Sequence, residues 1–144
     1  MDIVLVMTDA GDPVLLGQWL KPGQHVTSVL GGNTPRDGKG RPLRPPRRDL
    51  DDEVIHRSDV IVINSRAQAA QDWQGDIVLP IENGVLTWER VHELGELVSG
   101  RIAGRTDPRQ VTLYKNNGEQ GIADVAIAAV VVKLARERGL GIEI

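Results

Sequence analysis

Apolar residues gather along the chain in short unbroken runs. Residues 2–7 (DIVLVM), 25–30 (HVTSVL), 60–63 (VIVI) and 111–114 (VTLY) each have the length of a strand, and turn-forming residues follow each of them. Strands that are apolar on both faces belong to parallel sheets covered on either side. Between them lie helical signals. Asp49 reads as the N-cap of a helix with Asp51, Asp52 and Glu53 in its first turn, running to Arg57. A second helix follows Asn64 and Ser65 through Ala67, Ala69 and Ala70 to Trp73. A third starts at residues 87–90, with Val91, Leu94, Leu97 and Val98 at helical spacing and Gly100 as its stop. Residues 76–86 follow no regular period.

Residues 111–138 hold the longest pattern. After the strand, residues 115–121 (KNNGEQG) turn sharply, because Asn and Gly tolerate left-handed backbone. A long helix then begins at Ile122 and closes with Lys133, Arg136 and Arg138 ahead of Gly139. Its apolar residues, Ile122, Val125, Ile127, Ala128, Val130, Val131, Val132 and Leu134, run nearly all the way round, and such a helix is buried on more than one side. Two arrangements satisfy this. Either the rest of the chain packs around a core helix, or the helix meets a second layer supplied by a missing domain or a twin subunit.

The order of elements predicts an α/β fold: a partial, or half, Rossmann-like parallel sheet flanked by helices. No Gly-x-Gly-x-x-Gly follows a first strand, so the turn that seats a pyrophosphate on a helix N-terminus is missing. At 144 residues the chain is expected to be a single domain. With 3% aromatic residues and no Phe, its core must be Val, Ile, Leu and Ala. A net charge of −3 argues against nucleic acid as a partner. The absence of Cys removes disulfides and thiolate metal sites. No apolar run approaches the ~18 residues of a membrane span, and no signal-peptide pattern opens the chain, so a cytoplasmic location is expected.

Candidate chemistry is sparse. Arg36, Lys39, Arg41, Arg44, Arg47 and Arg48 make a basic, Pro-punctuated loop that suits either a phosphate or plain solvation, without aromatic residues for base stacking. His25, His56 and His92 lack metal-ligand spacing and read as structural or surface residues. Asp9 and Asp12 read as turn caps. Glu93 and Glu96 suit a salt bridge to Arg90, Arg101 or Lys115 better than acid–base work. Asn33, Asn116 and Asn117 read on their own as turn formers.

Several stretches, in order and at near-family spacing, resemble the ornithine cyclodeaminase and mu-crystallin family, which includes archaeal alanine dehydrogenases and ketimine reductases. They are DIVLVMTDAGDPVLLGQWLKPGQHVTSVLGGNTP, SDVIVINSRAQA, HELGELVSGRIAGR and VTLYKNNGEQGIADVAIAA. The resemblance spans essentially the whole chain but only the C-terminal part of such proteins, which implies a truncated NAD(P)-binding lobe. It implies NAD or NADP as cofactor, approached by Thr8, by the backbone of Leu30, Gly31 and Gly32, by Lys39, and by Asn116 and Asn117. Asn33 falls where the cyclodeaminases carry an acid–base Asp, and an Asn amide exchanges no proton near neutral pH. The family's N-terminal substrate half, with its Arg and Lys clamps, is absent. Two expectations follow: a lobe that works only when another polypeptide supplies that half, or a self-associating binding or assembly module, in either case as a homo-oligomer such as a dimer.

Overall fold

The structure, a computed structural model, describes residues 2–8, 10–29, 37–38, 42–43, 47–116 and 121–142, the side chain of residue 122 excepted. Strands β1 (Ile3–Val6), β2 (His25–Ser28), β3 (Val60–Ile63), β4 (Val91–Glu93) and β5 (Thr112–Lys115) form one sheet in the order β1-β2-β5-β3-β4. Every pairing is parallel. The register aligns Val4, Val26, Leu113, Ile61 and Val91 in one row and Ile3, His25, Thr112 and Val60 in the next. Successive residues point to opposite faces, so these rows define the two sides of the sheet.

Topology decides which side is covered. The chain steps one way across the sheet from β1 to β4 and then returns to insert β5 between β2 and β3. Parallel crossovers are right-handed, so the first three connections share a face and the return lies on the other. On the first face, α1 (Asp52–Arg57), α2 (Arg66–Gln71) and α3 (Gly75–Glu82) bury Val54, Ile55, Ala69 and Ile77 against Val26, Leu113, Ile61 and Val91. On the second, Leu94 and Leu97 of α4 (Leu94–Val98) border a cavity of about 300 Å³ with His25, Val60, Thr112 and Tyr114.

Nothing described covers that second face at β1, where Ile3 and Leu5 are 56% and 59% exposed. This corrects the expectation of a first strand sheltered on both sides. The final helix, α5 (Gly121–Glu137), overturns the core-helix arrangement too: Val125 is 70% exposed, and Ile127, Val130, Val131, Val132 and Leu134 also face solvent. The other described residues do not pack around it.

Four local expectations are also corrected. Asp51, not Asp49, caps α1, accepting from the Val54 amide at 2.9 Å. Residues 76–86 hold all of α3 but its first residue, Gly75, and its interior Pro80 disguises the helix in the sequence. The helix expected from residue 87 is instead a 3₁₀ turn (Trp88–Arg90), then β4, then α4. Fully buried Val91 explains the break, since it pairs with Ile61 in the sheet. Lys115, expected in the turn after β5, is that strand's last residue and is inaccessible to solvent.

Candidate functional site

A parallel sheet sends all its strands out at one edge, which is where open α/β sheets hold ligands. Thr8 lies just past β1, Ser28 ends β2, Asn64 follows β3, and Lys115 and Asn116 close β5. Of the residues singled out from the sequence, Thr8 and Asn116 are brought to this edge, Thr8 exposed and Asn116 half-buried. Leu30, Gly31, Gly32, Asn33, Lys39 and Asn117 lie outside the described residues, as does Asp9.

Beneath Thr8 and Asn116 sits a polar cluster whose charged members, Asp49, Asp76 and Lys115, are wholly inaccessible to solvent. Asp76 lies in the first turn of α3, where the helix dipole favours a carboxylate. Its Oδ2 accepts from the Ser28 hydroxyl at 2.8 Å, and its Oδ1 from the Asp49 and Leu50 amides at 2.9 and 3.0 Å. Burial pushes the Asp76 carboxyl above its ordinary range, against the pull of Lys115 and of these donors. Burial likewise pushes the Lys115 ammonium below its ordinary range, opposed by Asp76 and Asp49. Lys115 Nζ donates to the Asn116 carbonyl at 3.3 Å, and the Asn116 amide to the Ser28 carbonyl at 2.8 Å. Asp49 Oδ1 accepts from the Thr8 hydroxyl at 2.5 Å, with the Thr8 amide 3.5 Å from Oδ2. The backbone of Asp49 is itself fixed, its carbonyl accepting from the Val14 and Leu15 amides at 2.9 and 3.0 Å.

A second group lies alongside. Asn64 Nδ2 donates to Asn116 Oδ1 at 3.2 Å, and the Tyr114 hydroxyl donates to Asn64 Oδ1. Glu93 and Glu96 form a capping box on α4, with the Glu93 amide donating to Glu96 at 2.7 Å. The described salt bridge runs to Arg66 rather than to Arg90, Arg101 or Lys115: the Arg66 backbone amide donates to Glu93 and its guanidinium pairs with Glu96 at 3.2 Å. The Glu93 amide first, then the Arg66, Arg101 and His92 charges, hold the Glu96 carboxyl below its ordinary range. In the basic loop, Arg48 pairs with Asp52 at 2.6 Å.

Sequence reasoning missed Asp49, Asp76, Lys115, Ser28, Asn64 and Tyr114 as site residues. The only local signal was a Lys directly closing an apolar strand and an Asp heading an apolar stretch, both ambiguous without the topology that joins them.

Among known proteins, Delta(1)-pyrroline-2-carboxylate reductase of Bacillus cereus is 31% identical over 141 residues, covering 97% of this chain and 39% of that protein. The structure of Thermococcus litoralis Delta(1)-pyrroline-2-carboxylate reductase in complex with NADH and L-proline superimposes with a TM-score of 0.77 at 30% identity, over 99% of this chain and 40% of that one. An archaeal alanine dehydrogenase dimer with bound NAD gives a TM-score of 0.72 at 27% identity, with the same coverage of 99% and 40%. The chain thus spans about two fifths of the length of these proteins. Residues 1–139 match the model of the ornithine cyclodeaminase/mu-crystallin family, and the chain belongs to that family.

Proposed function

We propose that this chain is a cytoplasmic nicotinamide-nucleotide-binding lobe, the C-terminal portion of a Rossmann-type domain, which works in amine or imine redox chemistry when a second polypeptide segment supplies the substrate half. The observation that carries this reading is the convergence of Thr8 and Asn116 on the C-terminal edge of a parallel sheet, in a fold matched over 99% of its length by a reductase bound to NADH. Thr8 and Asn116 offer polar groups at the ends of separate strands, which suits a nucleotide laid across that edge. Leu30, Gly31, Gly32, Lys39 and Asn117 complete the proposed contact set. A bound nicotinamide supplies the hydride exchanged with the carbon bearing an amine or imine. Asn33 orients substrate through its amide and moves no proton, so ring-forming deamination of ornithine is disfavoured.

The test is titration of the purified chain with NADH and NADPH, followed by nucleotide fluorescence. Saturable binding by the chain is expected, and NAD(P)H-linked turnover only after co-expression with an N-terminal half from a family member. No binding at millimolar nucleotide, or no turnover in the reconstituted pair, contradicts the reading.

A second reading rests on the exposure of Ile3, Leu5 and the apolar residues of α5. Here the chain self-associates, as a dimer or larger assembly, and serves as a binding or assembly module. A stable monodisperse monomer in light scattering rejects it.

A further inference from the structure

Three ionisable side chains are buried together where the sheet ends, and none of them reaches the surface where a nucleotide would lie. Removing such groups from water is costly, and apolar residues of similar volume would commonly hold a core as well. What the arrangement provides is connection. Ser28 at the end of β2, Lys115 at the end of β5, Asp76 in the first turn of α3 and the Asp49–Leu50 backbone ahead of α1 are joined through one buried carboxylate and its counter-charge. The outlets of this network are the exposed Thr8 and the half-buried Asn116. Asp49 holds Thr8 through its hydroxyl at 2.5 Å, and Lys115 holds the Asn116 carbonyl at 3.3 Å.

We infer that Asp49, supported by Asp76 and Lys115, is a positioning residue that fixes Thr8 for the nicotinamide nucleotide. The inference rests on the reading that the strand-tip edge binds that nucleotide. The Asp49 side chain is solvent-inaccessible and meets the proposed nucleotide edge through Thr8, whose hydroxyl it holds in one orientation. A preorganised contact binds more tightly than a mobile one, because its ordering is complete before the ligand arrives. Asp76 in turn fixes Asp49, its Oδ1 accepting from the Asp49 backbone amide at 2.9 Å. Lys115 supplies the positive charge that allows two carboxylates to share this buried space.

The experiment measures the NADH dissociation constant of the wild-type chain, Asp49→Asn, Thr8→Val and the double variant, with the melting temperature of each recorded beside it. Each single substitution is expected to weaken NADH about tenfold, the scale of one lost charge-assisted hydrogen bond. The double variant is expected to be no weaker than either single one, since both remove the same contact. Thr8→Ser, which keeps the hydroxyl, is expected to restore wild-type affinity. Additive losses, or Asp49→Asn with unchanged affinity, overturn the positioning role while leaving nucleotide binding intact. A wild-type chain that binds no NADH overturns the nucleotide reading, and this inference with it. If Asp49→Asn does not fold, Asp49→Glu carries the test. It keeps the charge but displaces Thr8, so weaker NADH binding at an unchanged melting temperature supports the inference, and unchanged affinity overturns it.

Discussion

His25 stands at the start of β2 with its ring nitrogens 2.8 Å from the Thr112 hydroxyl and 3.0 Å from the Thr27 hydroxyl. Burial first, then the Arg105 guanidinium, hold its pKa below the ordinary 6.5. The unfolded chain therefore takes up this proton more readily than the folded one. Stability is complete above pH 6.5 and declines as pH falls through that value towards the lowered one. Melting temperature measured between pH 7.5 and 5.5 should show this decline, and His25→Gln should flatten it; an unchanged slope in the variant would clear His25 of the effect. Asp76 carries the opposite sign, since its raised pKa makes the folded state the better proton binder and lets stability rise as pH falls from the raised value towards 3.8. A further residue-scale constraint is steric. A Cβ on Gly17 would stand 2.5 Å from the Glu53 carbonyl carbon and 2.6 Å from the Val54 amide nitrogen. Backbone cannot yield as a flexible side chain does, so Gly17→Ala should cost about 2–3 kcal/mol in urea unfolding.

Element by element, the places where sequence reasoning failed share one cause. Val91 sits at helical spacing with Leu94 and Leu97, yet pairing with Ile61 turns it into strand, and a three-residue strand is too short to display its own period. Pro80 hides α3 because a helix interior ordinarily excludes proline. In both, a tertiary contact overrides a local preference. The four other strands were legible because parallel strands buried in a sheet are apolar throughout. Asp49 and Asp51 show the same limit at a cap. Either suits the role locally, but only Asp51 reaches the Val54 amide, and its Oδ1 also accepts from the Gly17 amide at 3.0 Å. One carboxylate thus ties α1 to the 3₁₀ turn at Gly17–Trp19. Asp51→Ala should lower stability by about 1–2 kcal/mol, more than an isolated cap of this kind, while Asp52→Ala should cost about 0.5 kcal/mol or less. Equal effects in chemical denaturation would remove Asp51 from this double role.

For the whole molecule, the helical pattern of residues 122–138 sets a requirement that the described residues leave unmet. An all-round apolar helix needs apolar cover, and the described chain does not provide it: Val125, Ile127, Val130 and Val131 are each more than half exposed. The same shortage appears at β1, where Ile3, Leu5 and Met7 face outward from a sheet edge with no described neighbouring strand. Crossover handedness explains the shortage at β1, because the first three connections place their helices on the other face. Which surface supplies the cover is not written in residues that only record what they lack. The chain's span of 39% of its Bacillus cereus relative and 40% of one archaeal alanine dehydrogenase chain leaves two sources: a second copy, or the segment those proteins carry in addition. They can be separated. Light scattering of the chain should give at least twice 15.7 kDa, and replacing Val130 and Val131 with Glu should return it to one copy. Both side chains lie outside the core, so unfolding of the dissociated variant should fall within about 0.5 kcal/mol of wild type extrapolated to low concentration. Adding an N-terminal half from a relative should then either displace the second copy, showing that both compete for α5 and the β1 edge, or bind beside it. In the second outcome the self-association surface lies apart from the surface that receives the N-terminal half.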